Sequence, residues 1–145
     1  MINLKISRER YAEIQNAAAC CFEFFGTRNP LAVLKEMEIP CSYIKLDGDL
    51  KGFTNVNDKD EPWVYINSKY DRYSAKIIAA HELGHIILHR SNEINMFEDD
   101  GVSSETEYEA NIFLMEFMPQ TQPHDKNYIT LTPTQLKNYI CSKIH

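Results

Sequence analysis

Long apolar runs are missing from this chain: no stretch approaches the ~18–20 residues that cross a bilayer, so a membrane-spanning protein is not expected. The opening Met1-Ile2-Asn3-Leu4-Lys5-Ile6-Ser7-Arg8 likewise lacks the continuous apolar core of a secretory leader. Cysteine is sparse, and Cys20, Cys21, Cys41 and Cys141 include no Cys-x-x-Cys pair, which points away from a disulfide framework and towards reduced thiols in the cytoplasm. Positive charge is in deficit, with 15 Lys+Arg against 21 Asp+Glu for a net charge of −6. A protein that works by neutralising nucleic-acid phosphates needs a basic patch, so direct nucleic-acid binding is not expected. Five glycines, six prolines and no internal repeat leave no low-complexity tract. What is present is 43% hydrophobic, and a chain of this length buries roughly 68–70% of its unfolded surface. The expectation is one domain over residues 1–145 whose core needs no disulfide or structural metal.

Hydrophobic spacing divides that domain into helical and extended parts. Tyr11, Ile14, Ala18, Cys21, Phe22 and Phe25 recur at three- and four-residue steps, predicting a helix from Ser7 to about Phe25 with Gly26 as its stop. Pro30 suits the first turn of a short second helix carrying Leu31, Leu34 and Met37, and Pro40 ends it. Between Ser42 and Asn67 the β-formers Tyr43, Ile44, Leu46, Phe53, Val56, Trp63, Val64, Tyr65 and Ile66 alternate with turns at Asp47-Gly48 and Asn57–Pro62, predicting a small antiparallel sheet. Trp63 and Tyr65 share one face, which either receives a ligand or, more commonly for such aromatics, packs on a helix. A long helix is expected from Asp71 or Ser74 to about His89, then a polar linker from Ser91 to Ser104. A further helix ends at Met118-Pro119, and a last one spans Thr130–Ile144, started by Thr132-Pro133.

Within the long helix stands His81-Glu82-Leu83-Gly84-His85. Five histidines and 13 glutamates in 145 residues would yield such a His-Glu-x-x-His run only about 0.015 times by chance. Side chains four apart on a helix lie one above the other, so both imidazoles reach a single ion at the ~2.0–2.1 Å of a zinc–nitrogen bond. Glu82, rotated about 100° from His81, falls beside the open position, where a carboxylate takes a proton from water instead of binding the ion. Ile77, Ile78, Ile86, Ile87 and Leu88 give the pair apolar surroundings in which two unpartnered imidazoles would be costly. The alternative is a helix whose histidines are satisfied core or surface residues.

A catalytic zinc site wants a third protein ligand. The extended run His-Glu-x-x-His-x-x-Gly-x-x-His is not present, since Leu88 and Ser91 occupy its glycine and histidine positions. The next helix offers Glu105, Glu107, Glu109 and Glu116. Ser104-x-x-Glu107 matches a capping box, which gives Glu107 a structural role, and Glu105 in the first turn suits the helix dipole. Glu109 shares its face with Ile112 and Phe113, where an ionised carboxylate needs a partner; it leads as the third ligand, with Glu105 next. His89 extends the ladder of histidines, although at a helix end it more often supports a ligand or simply offsets the dipole. His124 and His145 receive no role, and Cys20 and Cys21 read as small hydrophobes.

Ala80-His81-Glu82-Leu83-Gly84-His85-Ile86-Ile87-Leu88-His89, followed by Glu109-Ala110-Asn111-x-Phe113 and Glu116-Phe117-Met118-Pro119, resembles the ImmA/IrrE-type metallopeptidase family, as does the Val64-Tyr65-Ile66-Asn67 strand before the long helix. The resemblance covers roughly residues 30–120. It implies an α+β, zincin-like fold with helices around the small sheet and a zinc-dependent endopeptidase. The implied metal ligands are His81, His85 and Glu109, and the implied catalytic base is Glu82. It also implies a protein or peptide substrate, for some members a helix-turn-helix repressor of a phage or other mobile element.

In the resulting expectation zinc makes hydroxide available near neutral pH, Glu82 passes the proton to the leaving amine, and Tyr108 or Tyr128 is a candidate oxyanion donor. An extended substrate would add to the sheet by way of the Trp63–Asn67 strand. Two-histidine, one-carboxylate sets also suit manganese and iron, but a helical pair beside a base favours zinc. The rival readings are a binding module that controls its partner without catalysis, and a component of a toxin–antitoxin pair.

Overall fold

The computed structural model describes residues 6–89, 95–97 and 104–145. Helix α1 (Arg8–Phe25) starts where Ser7 Oγ accepts the Arg10 N–H and stops at Gly26, whose φ of 68° is left-handed and whose N–H bonds back to the Phe22 carbonyl. Helix α2 (Pro30–Glu36) is capped by Asn29 and already ends at Met37, before Pro40. Helix α1 buries Ile14, Ala18 and Cys21 of its expected stripe, whereas α2 buries Leu34 together with Val33 and leaves Leu31 and Met37 only partly buried.

Strands β1 (Cys41–Ile44), β2 (Gly52–Val56), β3 (Pro62–Asn67) and β4 (Asn95–Phe97) form a four-stranded sheet in the order β1-β3-β2-β4. The sheet is mixed, correcting the antiparallel expectation. β2 pairs antiparallel with β3 and β4, whereas β1 pairs parallel with β3. Successive strands still run up, down and up, but β1 lies beside β3, and the connecting segment must cross to reach β2. Fully buried Asn67 holds that crossing, its Nδ2 donating to the carbonyls of Leu46 and Leu50 at 3.2 and 2.9 Å. β4 lies within the segment expected to be a polar linker; the rest of that linker, with Glu98-Asp99-Asp100-Gly101, falls outside the described residues.

The sheet buries one face only. Val64 and Ile66 of β3 point inward, while Trp63 is exposed and Tyr65 stacks on Phe53 with ring centroids 4.7 Å apart. The Trp63/Tyr65 face is therefore the open one and not the face that meets a helix. Beneath the other face runs helix α3 (Arg72–Leu88), N-capped by Asp71, which accepts the Ser74 N–H at 2.8 Å. The approach is close at Gly52, where an added Cβ would meet Ile78 Cγ2 at 2.8 Å.

Helix α3 is buried nearly all round, from Ser74 to Ile86, because the sheet, α1, α2 and helix α4 (Glu105–Phe117) all pack on it. Helix α5 (Pro133–Cys141), begun by a Thr132/Gln135 capping box, packs on α4 and is shorter than the Thr130–Ile144 expected. This is an α+β fold, helices around a small sheet as expected, with the His-Glu-x-x-His run on its central helix. No helix among the described residues is long and apolar enough to cross a membrane.

Candidate metal centre

His81 and His85 occupy one face of α3, as four-residue spacing requires, and both are buried. Their Nε2 atoms lie 3.2 Å apart. Two nitrogens bound to one tetrahedral zinc would stand about 3.3 Å apart, from the bond length and the tetrahedral angle. The ring of Phe97 on β4 stacks over His81, with centroids 4.0 Å apart and planes 18° apart.

The carboxylate that meets this pair belongs to Glu107. Its Oε2 lies 2.9 Å from His81 Nε2 and its Oε1 2.8 Å from His85 Nε2. One ligand atom from each of His81, His85 and Glu107 lies within 4.8 Å of the others, the one such group among the described residues.

Glu109, expected as the third ligand, does not join them. Its Oε1 is 2.7 Å from Arg10 Nη2 and 2.9 Å from His89 Nε2. The separation has a helical cause: residues 107 and 109 are about 200° apart around α4, so only one of them can face α3. The face that does carries Glu107, Ala110 and Asn111, and Asn111 Oδ1 lies 2.7 Å from His81 Nδ1. Half of the anticipated capping box exists, since Ser104 Oγ accepts the Glu107 N–H at 3.2 Å, but the Glu107 carboxylate turns to the histidines. Glu105 is exposed in the first turn. The signal that could have found Glu107 is its four-residue spacing from Asn111, which places two polar side chains on one face of the helix together with small Ala110.

Glu82 is fully buried. Thr54 of β2, a residue to which no sequence motif pointed, donates its hydroxyl to Glu82 Oε1 at 2.8 Å, while Oε2 has no partner among the described residues. Burial pushes the Glu82 carboxyl up to about 8, against the pull of His81 and Thr54. His85 moves the other way, down to about 4, because burial disfavours its charged form. Burial opposes both remaining shifts and is outweighed: His81 is raised by the Glu107 charge, and Glu107 is held well below the usual carboxylate range by the two histidines.

This donor set fits a divalent cation. Two imidazoles and a carboxylate converge, and a buried carboxylate oxygen beside them lacks a partner among the described residues. Asn111 Oδ1, as an acceptor, puts the His81 proton on Nδ1 and leaves Nε2 directed at the centre. Of the tyrosines expected as oxyanion donors, Tyr128 donates its hydroxyl to Glu116 Oε2 at 2.6 Å, and Tyr108 is buried. β3 is paired on both sides, so it offers no edge to a substrate; the edges are β1 and β4.

Residues 41–136, from the start of β1 into α5, match the IrrE N-terminal-like domain, a peptidase family. Helices α1 and α2 lie outside that match. No curated protein and no solved structure matches the chain.

Proposed function

Because the chain belongs to the IrrE N-terminal-like domain family of peptidases, we propose that it is a zinc-dependent endopeptidase whose metal ligands are His81, His85 and Glu107 and whose general base is Glu82. The observation that carries this reading is the convergence of the two Nε2 atoms and the Glu107 carboxylate beside a buried Glu82 with one oxygen unpartnered. A zinc ion held there supplies a Lewis acid and lowers the pKa of water to about 7. Thr54 fixes one oxygen of Glu82 and leaves Oε2 to accept a proton. Hydrolysis then adds hydroxyl to the scissile carbonyl carbon while Glu82 returns the proton to the departing amine nitrogen as the C–N bond breaks. A positive charge nearby draws the Glu82 carboxyl down from its raised value, so the base is ionised when needed.

The substrate we propose is a protein segment in extended form, added to β4, the sheet edge that carries Phe97 over His81. The resemblance to the ImmA/IrrE type suggests a helix-turn-helix repressor of a phage or mobile element as that protein, in the cytoplasm. Glu82→Gln tests the enzyme reading: it should retain zinc and fold while peptide cleavage of a coexpressed candidate repressor falls by at least ~100-fold. The second reading, a metal-containing module that acts by binding alone, draws on the burial of His81 and Glu82, both 0% exposed. Unchanged function in Glu82→Gln would favour it.

A further inference from the structure

A chain of side chains leads from α1 to the metal centre. Glu13 Oε2 lies 3.0 Å from Arg10 Nη1, and Arg10 Nη2 lies 2.7 Å from Glu109 Oε1. The same Glu109 oxygen is 2.9 Å from His89 Nε2, and His89 Nδ1 is 3.1 Å from His85 Nδ1. Three helices of the chain meet here: α1, α4, and α3 with its terminal residue His89.

We propose that Arg10, Glu109 and His89 are positioning residues that fix the tautomer of His85, and that α1, outside the family match, is thereby a working part of the metal centre. The inference rests on the metal-site reading above. Its logic is the direction of each bond. A guanidinium only donates and a carboxylate only accepts, so His89 presents Nε2–H to Glu109. With its proton on Nε2, His89 turns the Nδ1 lone pair to His85 and accepts from His85 Nδ1–H. His85 is left with its lone pair on Nε2, the nitrogen that faces His81 and Glu107.

Without this chain the other tautomer would compete, because Nε2–H could donate to Glu107 at 2.8 Å. That form has no lone pair to offer a metal. Opposite it, His81 receives the same service from Asn111 on the matched part of the chain. The two ligands are therefore oriented from two sides, one by α4 directly and one through α1.

Zinc affinity of the full-length chain, measured by competition with a chromophoric chelator, tests this without any assay of cleavage. Removing an outer partner of a metal-bound histidine costs 10–100-fold in affinity, so His89→Ala and Arg10→Ala should each weaken zinc binding by about that factor. His89→Asn restores an acceptor near the Nδ1 position and should stay within a few-fold of the parent chain. Tyr128→Phe serves as the control, since Tyr128 joins the same α1–α4 seam through Glu116 and Tyr11 but stands outside the relay. It should lower the melting temperature and leave zinc affinity unchanged.

Parent-like affinity in His89→Ala would overturn the proposal, and an equal loss in Tyr128→Phe would show that docking of α1, not the Arg10 contact, is what matters. A parent chain that binds no zinc would overturn this proposal and the metal site together. Loss of the peptidase reading alone would leave the affinity pattern standing.

Discussion

Gly84 on α3 and Ala110 on α4 stand so close that a Cβ added to Gly84 would lie 3.2 Å from both the Cα and the carbonyl oxygen of Ala110. That contact sets the spacing between the helix that carries both histidines and the helix that carries Glu107. A larger residue at position 84 has to push the carboxylate away from the imidazoles, because the nearest atoms are Ala110 backbone and Phe113 Cβ, none of which can rotate aside.

Gly84→Ala brings two opposed effects. Alanine gains about 1 kcal/mol of helix propensity over glycine, whereas overpacking costs roughly 1–3 kcal/mol. A net loss of about 1 kcal/mol in denaturant unfolding is expected. Gly84→Val adds more atoms and forfeits part of the propensity gain, so it should lose several times as much and bind zinc poorly. A valine variant as stable as the parent would show that the helices are free to part.

The two glutamates of α4 separate by the size of their effect on metal content. Glu107→Ala removes a ligand atom and should reduce bound zinc, measured by elemental analysis after dialysis, to near background. Glu109→Ala should still retain zinc at high metal concentration, with affinity lowered about 10–100-fold through His89. The reverse order would restore Glu109 as the ligand.

In the metal-free protein the Glu82 carboxyl titrates near 8 in place of its ordinary 4.5. Its neutral form is the one the fold prefers, so its contribution to stability is complete below about 4.5 and is lost as pH rises through about 8. The loss amounts to roughly 5 kcal/mol by pH 9. Chelator-treated protein should therefore melt at progressively lower temperature over that range, and Glu82→Gln should flatten the dependence. A parallel slope in the glutamine variant would assign it to other groups.

Thiol labelling should distinguish the cysteines. Cys20 is exposed. Burial pushes the thiols of Cys21 and Cys41 up to about 11, which leaves roughly one part in 10,000 as reactive thiolate at neutral pH. Cys141 is buried as well. One fast equivalent is expected from the native chain and four after denaturation, with the fast one absent in Cys20→Ser. Two or more fast equivalents would mean that the core around Cys21 or Cys41 opens readily.

Local signals account for what could be read from the sequence. The stripe from Tyr11 to Phe25, the stop at Gly26, the cap at Asp71 and the Thr132-Pro133 start each depend on neighbours within a turn or two, and each is where the spacing puts it. The His81, Glu82 and His85 arrangement is local in the same sense. What escaped depends on distant partners. Ser104-x-x-Glu107 looked like a capping box because the backbone half of it is one; only the packing of α4 on α3 reveals where the carboxylate goes. Thr54 and Arg10 are unremarkable in sequence and acquire their roles through contacts 28 and 99 residues away. The three residues of β4 are too few to show a period, and the parallel pairing of β1 follows from a crossing loop held by Asn67.

Phe97 ties the outermost strand of the sheet to the first histidine of the pair. A guest that docks along that rim therefore presses on a ring already lying flat against an imidazole, and cannot settle without the centre registering it. Filling the rim and ordering the histidine pair would become one event, so a poorly seated guest would meet a less well ordered centre than a well seated one.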